Sequence, residues 1–231
     1  MTDQKFLGIV GIKRAQTCFL STFNFFLILI IFYLFSIDSY SQNSLNDPSI
    51  YYPLNVGNLW EYEALGGKGT KRVEVLEYSD KHNSYMVSTI SKTGDFPPLT
   101  TKEIVEIRGA KALILASQAA FGGEFTWYSP AKILLEFPIE IGKAWVKQEI
   151  SKESMQAQES CKVIDILSNY KVKGGEFKDV VKINCVLKMK AKNLPPEITT
   201  DYYYASKIGL IKEEMKNAKA PLAELTGYKI R

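Results

Sequence analysis

The stretch Tyr52-Pro53-Leu54-x-x-Gly57-x-x-Trp60 decides the fold, because its layout returns as Phe137-Pro138-Ile139-x-x-Gly142-x-x-Trp145. In each copy the Pro holds its own φ near −65° and extends the aromatic residue before it. The Gly permits a positive φ, and the Trp that follows supplies a large apolar surface. We interpret each copy as the corner at which the chain enters a sheet, so two copies predict two related β units.

The chain between and after the two corners has the pattern of strands separated by turns. Tyr85, Val87 and Thr89 alternate with other residues, and turns rich in Gly, Pro and Asn separate such runs. The only candidate for a helix after residue 51 is the stretch over residues 151–160, which could equally form a loop or a strand. We therefore predict an all-β domain over residues 51–231, made of units over about 51–129 and 136–230. The alternative is that β proteins in general reuse Pro, Gly and aromatic residues at corners.

The first 41 residues predict export. Three basic residues, Lys5, Lys13 and Arg14, precede an apolar run over residues 19–37, which places the N-terminus inside under the positive-inside rule. In one interpretation residues 1–41 are a signal peptide cleaved after Ser39-Tyr40-Ser41. In the other, residues 19–37 stay as a transmembrane helix and contact the membrane as a signal anchor.

Both interpretations place the β domain outside the cytoplasm, after a polar spacer over residues 42–50. The predicted location is the periplasm, the cell surface or the medium. An uncleaved segment would add anchorage to the inner membrane.

Cys161 and Cys185 lie in strand-like runs on either side of the turn at Gly174-Gly175. A hairpin symmetric about Lys173 would place the two cysteines opposite each other, and a disulfide could then form. A register shifted by one residue would separate them. Two buried free thiols are the alternative.

Three elements of the chain resemble uncharacterised exported bacterial proteins. They are Tyr52-Pro53-Leu54-x-x-Gly57-x-x-Trp60-x-Tyr62, the hairpin Gly174-Gly175-Glu176-Phe177-Lys178-Asp179-Val180, and Tyr203-Tyr204-Ala205-x-x-Ile208-Gly209-Leu210-Ile211-Lys212. The similarity covers most of residues 51–214. It implies a curved antiparallel sheet, akin to that of envelope lipid carriers, and it assigns no functional residue.

Few residues of this chain suit catalysis or cofactor binding. The only histidine is His82, within a polar turn, which argues against a Ser-His-Asp or Cys-His arrangement and against a zinc site. Gly66-Gly67-Lys68-Gly69 lacks the spacing of a phosphate-binding loop. A formal net charge of +4 is low for a nucleic-acid-binding protein of this length. We therefore predict no catalytic residue, no cofactor, no metal and no nucleic-acid partner.

The aromatic residues supply the candidate binding residues. An aromatic ligand platform would use Trp60, Trp127, Trp145 and Tyr203. The competing interpretation is that the tryptophans only pin the sheet.

Three functions remain open. The leading hypothesis is a non-catalytic envelope protein that binds an unknown envelope component. The alternative is a carrier that holds a lipid or another apolar small molecule on a curved sheet. The third hypothesis, a hydrolase, would need paired carboxylates such as Glu61 and Glu63.

Overall fold

The structure is a computed structural model that describes residues 47–152, 155–190 and 197–231. The predicted signal peptide or anchor and most of the polar spacer lie outside the described residues. Within the described ranges, the chain forms no helix that is both long enough and apolar enough to cross a membrane.

The described ranges contain one short helix and twelve strands, joined by turns and loops. They are α1 (Pro48–Tyr51), β1 (Leu59–Ala64), β2 (Gly69–Ser79), β3 (Ser84–Thr93), β4 (Leu99–Arg108), β5 (Lys111–Gln118), β6 (Thr126–Glu136), β7 (Ala144–Lys152), β8 (Met155–Val172), β9 (Gly175–Lys190), β10 (Glu197–Ala205), β11 (Gly209–Met215) and β12 (Ala223–Lys229).

All twelve strands belong to one antiparallel sheet with the order β6-β5-β4-β3-β2-β1-β12-β11-β10-β9-β8-β7. Strands β1–β6 form one meander and β7–β12 form another, and the ladder between β1 and β12 joins them. The sheet curves until its two end strands, β6 and β7, come near each other, so that it is nearly closed. The predicted all-β fold with a curved antiparallel sheet is confirmed. The predicted end of the first unit, residue 129, falls within β6.

The two corners carry matching backbone hydrogen bonds. Gly57, with φ +85°, donates its N–H to the carbonyl of Val75 in β2 at 2.8 Å. Gly142, with φ +94°, donates its N–H to the carbonyl of Val163 in β8 at 2.9 Å. A positive φ is strained for residues other than Gly, which explains the Gly at this place in both motifs. That the two β units are related to each other stays a prediction.

Alternation along each strand decides which side chains enter the interior. In β1, Trp60 and Tyr62 are buried whereas Glu61 between them is exposed. Buried side chains form two clusters, one around Trp60 and Leu225 and the other around Trp145 and Val163. Both tryptophans of the repeated motif are therefore core residues.

A bulge in the hairpin of β8 and β9 brings the two cysteines together. Next to the turn, Val172 lies opposite Gly175, a register that would place Cys161 opposite Val186. The register shifts by one residue between Val163 and Asp165, so Cys161 lies opposite Cys185 instead. A disulfide joins the two residues, whose Cα atoms are 4.1 Å apart.

We expect this disulfide to stabilise the domain by about 3 kcal/mol, because it removes closure entropy from the unfolded chain. The cross-linked residues are 24 positions apart. Replacing both cysteines, as Cys161→Ala with Cys185→Ala, should lower the free energy of urea unfolding by that amount. Dithiothreitol should destabilise the wild type and leave the double variant unchanged. Equal urea midpoints for wild type and variant without reductant would show that the disulfide does not stabilise the fold.

Candidate functional site

The inner face of the curved sheet lines a cavity of about 300 Å³. This volume lies at the lower end of the range for small-molecule sites. Both meanders contribute to the wall, and the end strands β6 and β7 border it through Lys132, Leu134, Lys147 and Gln148. The cavity is therefore formed by the two meanders together.

The wall changes from charged to apolar along its depth. Following β2 from its first residue, Lys71 is followed on the same face by Val73 and Val75. Along β6, Lys132 is followed by Leu134 in the same direction. Because neighbouring strands are antiparallel, both runs go from the end with the β1–β2 turn toward the end with α1.

In the second meander, too, the charged residues lie toward the β1–β2 end and the apolar residues toward the α1 end. Glu213 in β11 lies nearer the β1–β2 end than Leu210. At the α1 end, Pro53, Leu54 and Trp60 close the cavity. The indole nitrogen of Trp60 donates a hydrogen bond to the Ile208 carbonyl at 2.6 Å, which fixes this ring. The cavity thus has an apolar floor and a charged layer above it.

Ion pairs within the charged layer join residues that are far apart in sequence. The ammonium group of Lys71 lies 3.4 Å from the carboxylate of Glu213, and this pair joins the two meanders. The ammonium group of Lys147 lies 2.9 Å from Glu159, which also accepts a hydrogen bond from Gln148 at 3.1 Å. Two of the three lysines in this layer are therefore neutralised by glutamates.

Lys132 and Glu103 complete the charged layer. Neither forms a salt bridge with another residue of the part of the chain that the structure describes. The Lys132 ammonium lies 3.9 Å from the ring centre of Tyr128, a cation–π distance. Burial raises the pKa of the Glu103 carboxyl, and the positive charges of Lys132, Lys71 and Lys147 counteract part of this effect.

Four tyrosines add hydroxyl groups to the wall: Tyr52, Tyr62, Tyr202 and Tyr204. Tyr62 donates to the Leu210 carbonyl at 2.9 Å. Burial raises the pKa of all four phenols, and nearby carboxylates or tyrosines raise it further. These tyrosines therefore stay neutral at physiological pH and offer hydrogen bonds rather than charge.

The four aromatic residues predicted as a ligand platform do not meet in one place. Trp60 lines the cavity. Trp145 is buried in the second core cluster, where its indole nitrogen donates to the Ile133 carbonyl at 3.2 Å. Trp127 is 64% exposed. Tyr203 is absent from the cavity wall and stacks on Tyr170 with ring centres 4.7 Å apart. The wall instead receives Tyr202 and Tyr204, whose side chains leave the strand on the other face.

The acidic pair considered for hydrolysis lies outside the cavity. Glu61 and Glu63 alternate with Trp60 and Tyr62, which face inward, and Glu63 forms an ion pair with Lys173 at the tip of the β8–β9 hairpin. Sequence reasoning missed the glutamates that do line the cavity, Glu103, Glu159 and Glu213. In the sequence, each of these glutamates is a charged residue within an otherwise strand-like run. Such a residue more often lies on an exposed face than in a cavity.

A cluster of Glu159, Cys161 and Cys185 has the proximity of a metal site. Its two sulfur atoms are joined to each other, so neither is a thiolate. Of these three residues, only Glu159 could still bind a metal ion, and its carboxylate already accepts a hydrogen bond from Lys147.

Comparisons with known proteins bear on the fold. No family model matches the sequence, and no curated protein matches it. A solved structure described as a "putative lipoprotein" from Parabacteroides distasonis is similar, with a TM-score of 0.52, 10% identity, and coverage of 79% of this chain and 100% of that chain. Another, described as a "putative exported protein with YmcC-like fold" from Bacteroides fragilis, has a TM-score of 0.49, 10% identity, and coverage of 78% and 99%. At this identity the likeness concerns the fold.

We expect opposite effects from neutralising two of the cavity glutamates. Glu103 has a higher pKa in the folded protein than in the unfolded chain. Its carboxyl therefore favours the folded state fully only below the unfolded pKa, and this stabilisation is lost as pH rises through the folded pKa. Glu103→Gln should therefore raise the free energy of unfolding at pH 7, and the gain should vanish near pH 4. Urea unfolding at the two pH values measures this difference.

The matched control is Glu159→Gln, which leaves the Lys147 ammonium without its partner. The free energy of unfolding of this variant should be about 2 kcal/mol lower than that of the wild type at pH 7. If both substitutions destabilise equally at pH 7, our account of the charged layer is wrong.

Proposed function

We propose that this protein is a non-catalytic exported protein of the cell envelope that binds a small amphipathic molecule with an anionic head group. The observation that carries this proposal is the polarity of the cavity, with an apolar floor and a charged layer above it.

The support for export is independent of the cavity. The basic start followed by the apolar run at residues 19–37 is typical of an export signal. The Cys161–Cys185 disulfide is typical of an oxidising compartment. The similar structure described as a "putative lipoprotein" agrees with an envelope location.

The amphipathic character of the ligand follows from the way the cavity wall changes between its floor and the charged layer. The side chains of Val75, Val87 and Leu54 near the floor favour an apolar group, because burial there removes apolar surface from water. The charged layer favours a polar group, because a purely apolar molecule would leave these charges without water or a partner. A molecule with one apolar end and one polar end satisfies both.

The charge of the head group follows from the ion pairs. Glu213 and Glu159 neutralise Lys71 and Lys147, whereas Lys132 forms no salt bridge with another residue of the described ranges. Lys132 is then the cation available to a ligand. An anionic head group gains a charge-assisted hydrogen bond from it.

This proposal combines the two leading hypotheses from the sequence, because a lipid with an anionic head is one amphipathic ligand. It argues against a carrier for an apolar chain alone. The hydrolase hypothesis loses its predicted pair, since Glu61 and Glu63 lie on the opposite face from the cavity.

We expect the full chain expressed in a Gram-negative host to be digested by protease added to intact spheroplasts. Export would place the β domain outside the inner membrane, where the protease reaches it. A cytoplasmic protein in the same cells should stay intact as a control. Full protection of the chain until detergent is added would contradict export.

We expect the fluorescent probe 1-anilinonaphthalene-8-sulfonate to bind the cavity, because it joins an apolar ring system to an anion. Laurate should displace the probe, and dodecylamine, which has the same chain length and a cationic head, should not. Lys132→Met should weaken laurate binding about tenfold or more, the effect of losing one charge-assisted hydrogen bond. Probe emission during titration measures each affinity.

The matched control is Lys102→Met, which removes a lysine that neighbours Glu103 in β4 but is absent from the cavity wall. It should leave laurate binding unchanged. Equal displacement by laurate and dodecylamine would contradict the anionic head group. Equal losses in the two lysine variants would contradict binding at this cavity.

A further inference from the structure

The three most exposed aromatic side chains of the described ranges lie at one end of the sheet. Phe121 is 92% exposed, Phe96 is 75% exposed and Trp127 is 64% exposed. Phe96 lies in the β3–β4 turn, whereas Phe121 and Trp127 belong to the β5–β6 connection and the start of β6. The contact of large aromatic side chains with water is unfavourable, and binding of a partner to this surface would remove it.

The topology makes these two connections neighbours. Strands β4 and β5 are paired, with Lys102 opposite Gln118 near this end of the ladder. Leu99, at the start of β4, is 42% exposed and continues the apolar surface. The β1–β2 turn, which holds the exposed Leu65, lies at the same end. We call this end, with Leu65, Phe96, Leu99, Phe121 and Trp127, the aromatic rim.

Exposed lysines lie at the same end of the sheet as the aromatic rim. Lys68 lies in the β1–β2 turn, Lys92 lies near the end of β3, and Lys216 and Lys219 lie in the β11–β12 connection. All four are exposed. The exposed acidic residues of the same connections are Asp95 and Glu124. The rim therefore combines protruding aromatic residues with an excess of positive charge.

We propose that the aromatic rim docks this protein onto the surface of a membrane that contains anionic lipid. Aromatic residues at loop tips are favoured at the boundary between head groups and acyl chains. Lysines beside them are attracted to the negative surface, each gaining free energy only within about a Debye length. This docking is independent of the cavity ligand. It also orients the charged layer of the cavity, which lies toward the same end, to the membrane.

Quenching of Trp127 by lipid tests the proposal directly. Vesicles of phosphatidylglycerol and phosphatidylcholine that carry brominated acyl chains should quench part of the tryptophan emission of the full chain. The quenched part should be absent in Trp127→Phe, because the remaining Trp60 and Trp145 are buried. Vesicles of phosphatidylcholine alone, or added 0.5 M salt, should reduce the quenching several-fold.

A matched pair of serine variants locates the surface. Phe121→Ser should lower vesicle affinity about tenfold, the effect of one aromatic side chain kept out of the apolar layer. Ile141→Ser removes an apolar residue that is 65% exposed in the β6–β7 connection, at the other end of the sheet, and should leave the affinity unchanged. Both variants keep residues 19–37, so any difference between them is due to the rim.

Three outcomes would overturn the proposal. Quenching that persists in Trp127→Phe would show that another surface reaches the lipid. Equal effects of the Phe121 and Ile141 variants would show that the rim has no special role. Absence of quenching with either vesicle would reject a lipid partner and favour a protein partner for these aromatic residues.

Discussion

The ladder between β1 and β12 is the interaction on which the rest of the structure depends. It joins the first strand of one meander to the last strand of the other, with Tyr62 opposite Leu225. Two separate six-stranded meanders would each expose an apolar face to water. Joined and curved, the sheet encloses both faces and brings Lys71 of one meander within 3.4 Å of Glu213 of the other. The cavity therefore exists only in the assembled sheet.

The inner face is unusual because it is not uniformly apolar. Charged residues inside a protein are costly unless they are paired, and two lysine–glutamate pairs reduce that cost here. The tyrosines around them supply hydroxyl groups without adding charge. Such a layer contributes less to stability than aliphatic packing of equal volume would. A binding role gives a physical reason for keeping charges at this depth, and this is why the cavity carries the proposed function.

Much of the fold could be predicted from local patterns. The Pro-Gly-Trp corners and the alternating strand runs depend on backbone geometry that each short segment sets for itself, so the all-β fold was predictable. The site was less predictable. The sequence predicts Trp60 correctly as a residue of the cavity wall. It does not distinguish Tyr202 and Tyr204 from Tyr203, because three consecutive tyrosines carry no local signal of which face is inward. The glutamates of the cavity were missed because a charged residue within a strand usually faces solvent.

The sequence by itself determined the strand-forming segments, the corner glycines and the apolar character of residues 19–37, because each is a property of neighbouring residues. Tertiary structure alone decided which lysines meet which glutamates and which aromatic residues enter the cavity. It also decided the pairing of Cys161 with Cys185, since that register depends on a bulge between Val163 and Asp165 rather than on the turn. The physical reason is the two-residue period of a strand. A shift by one residue exchanges the inner and outer faces, and only packing of the whole sheet selects between them.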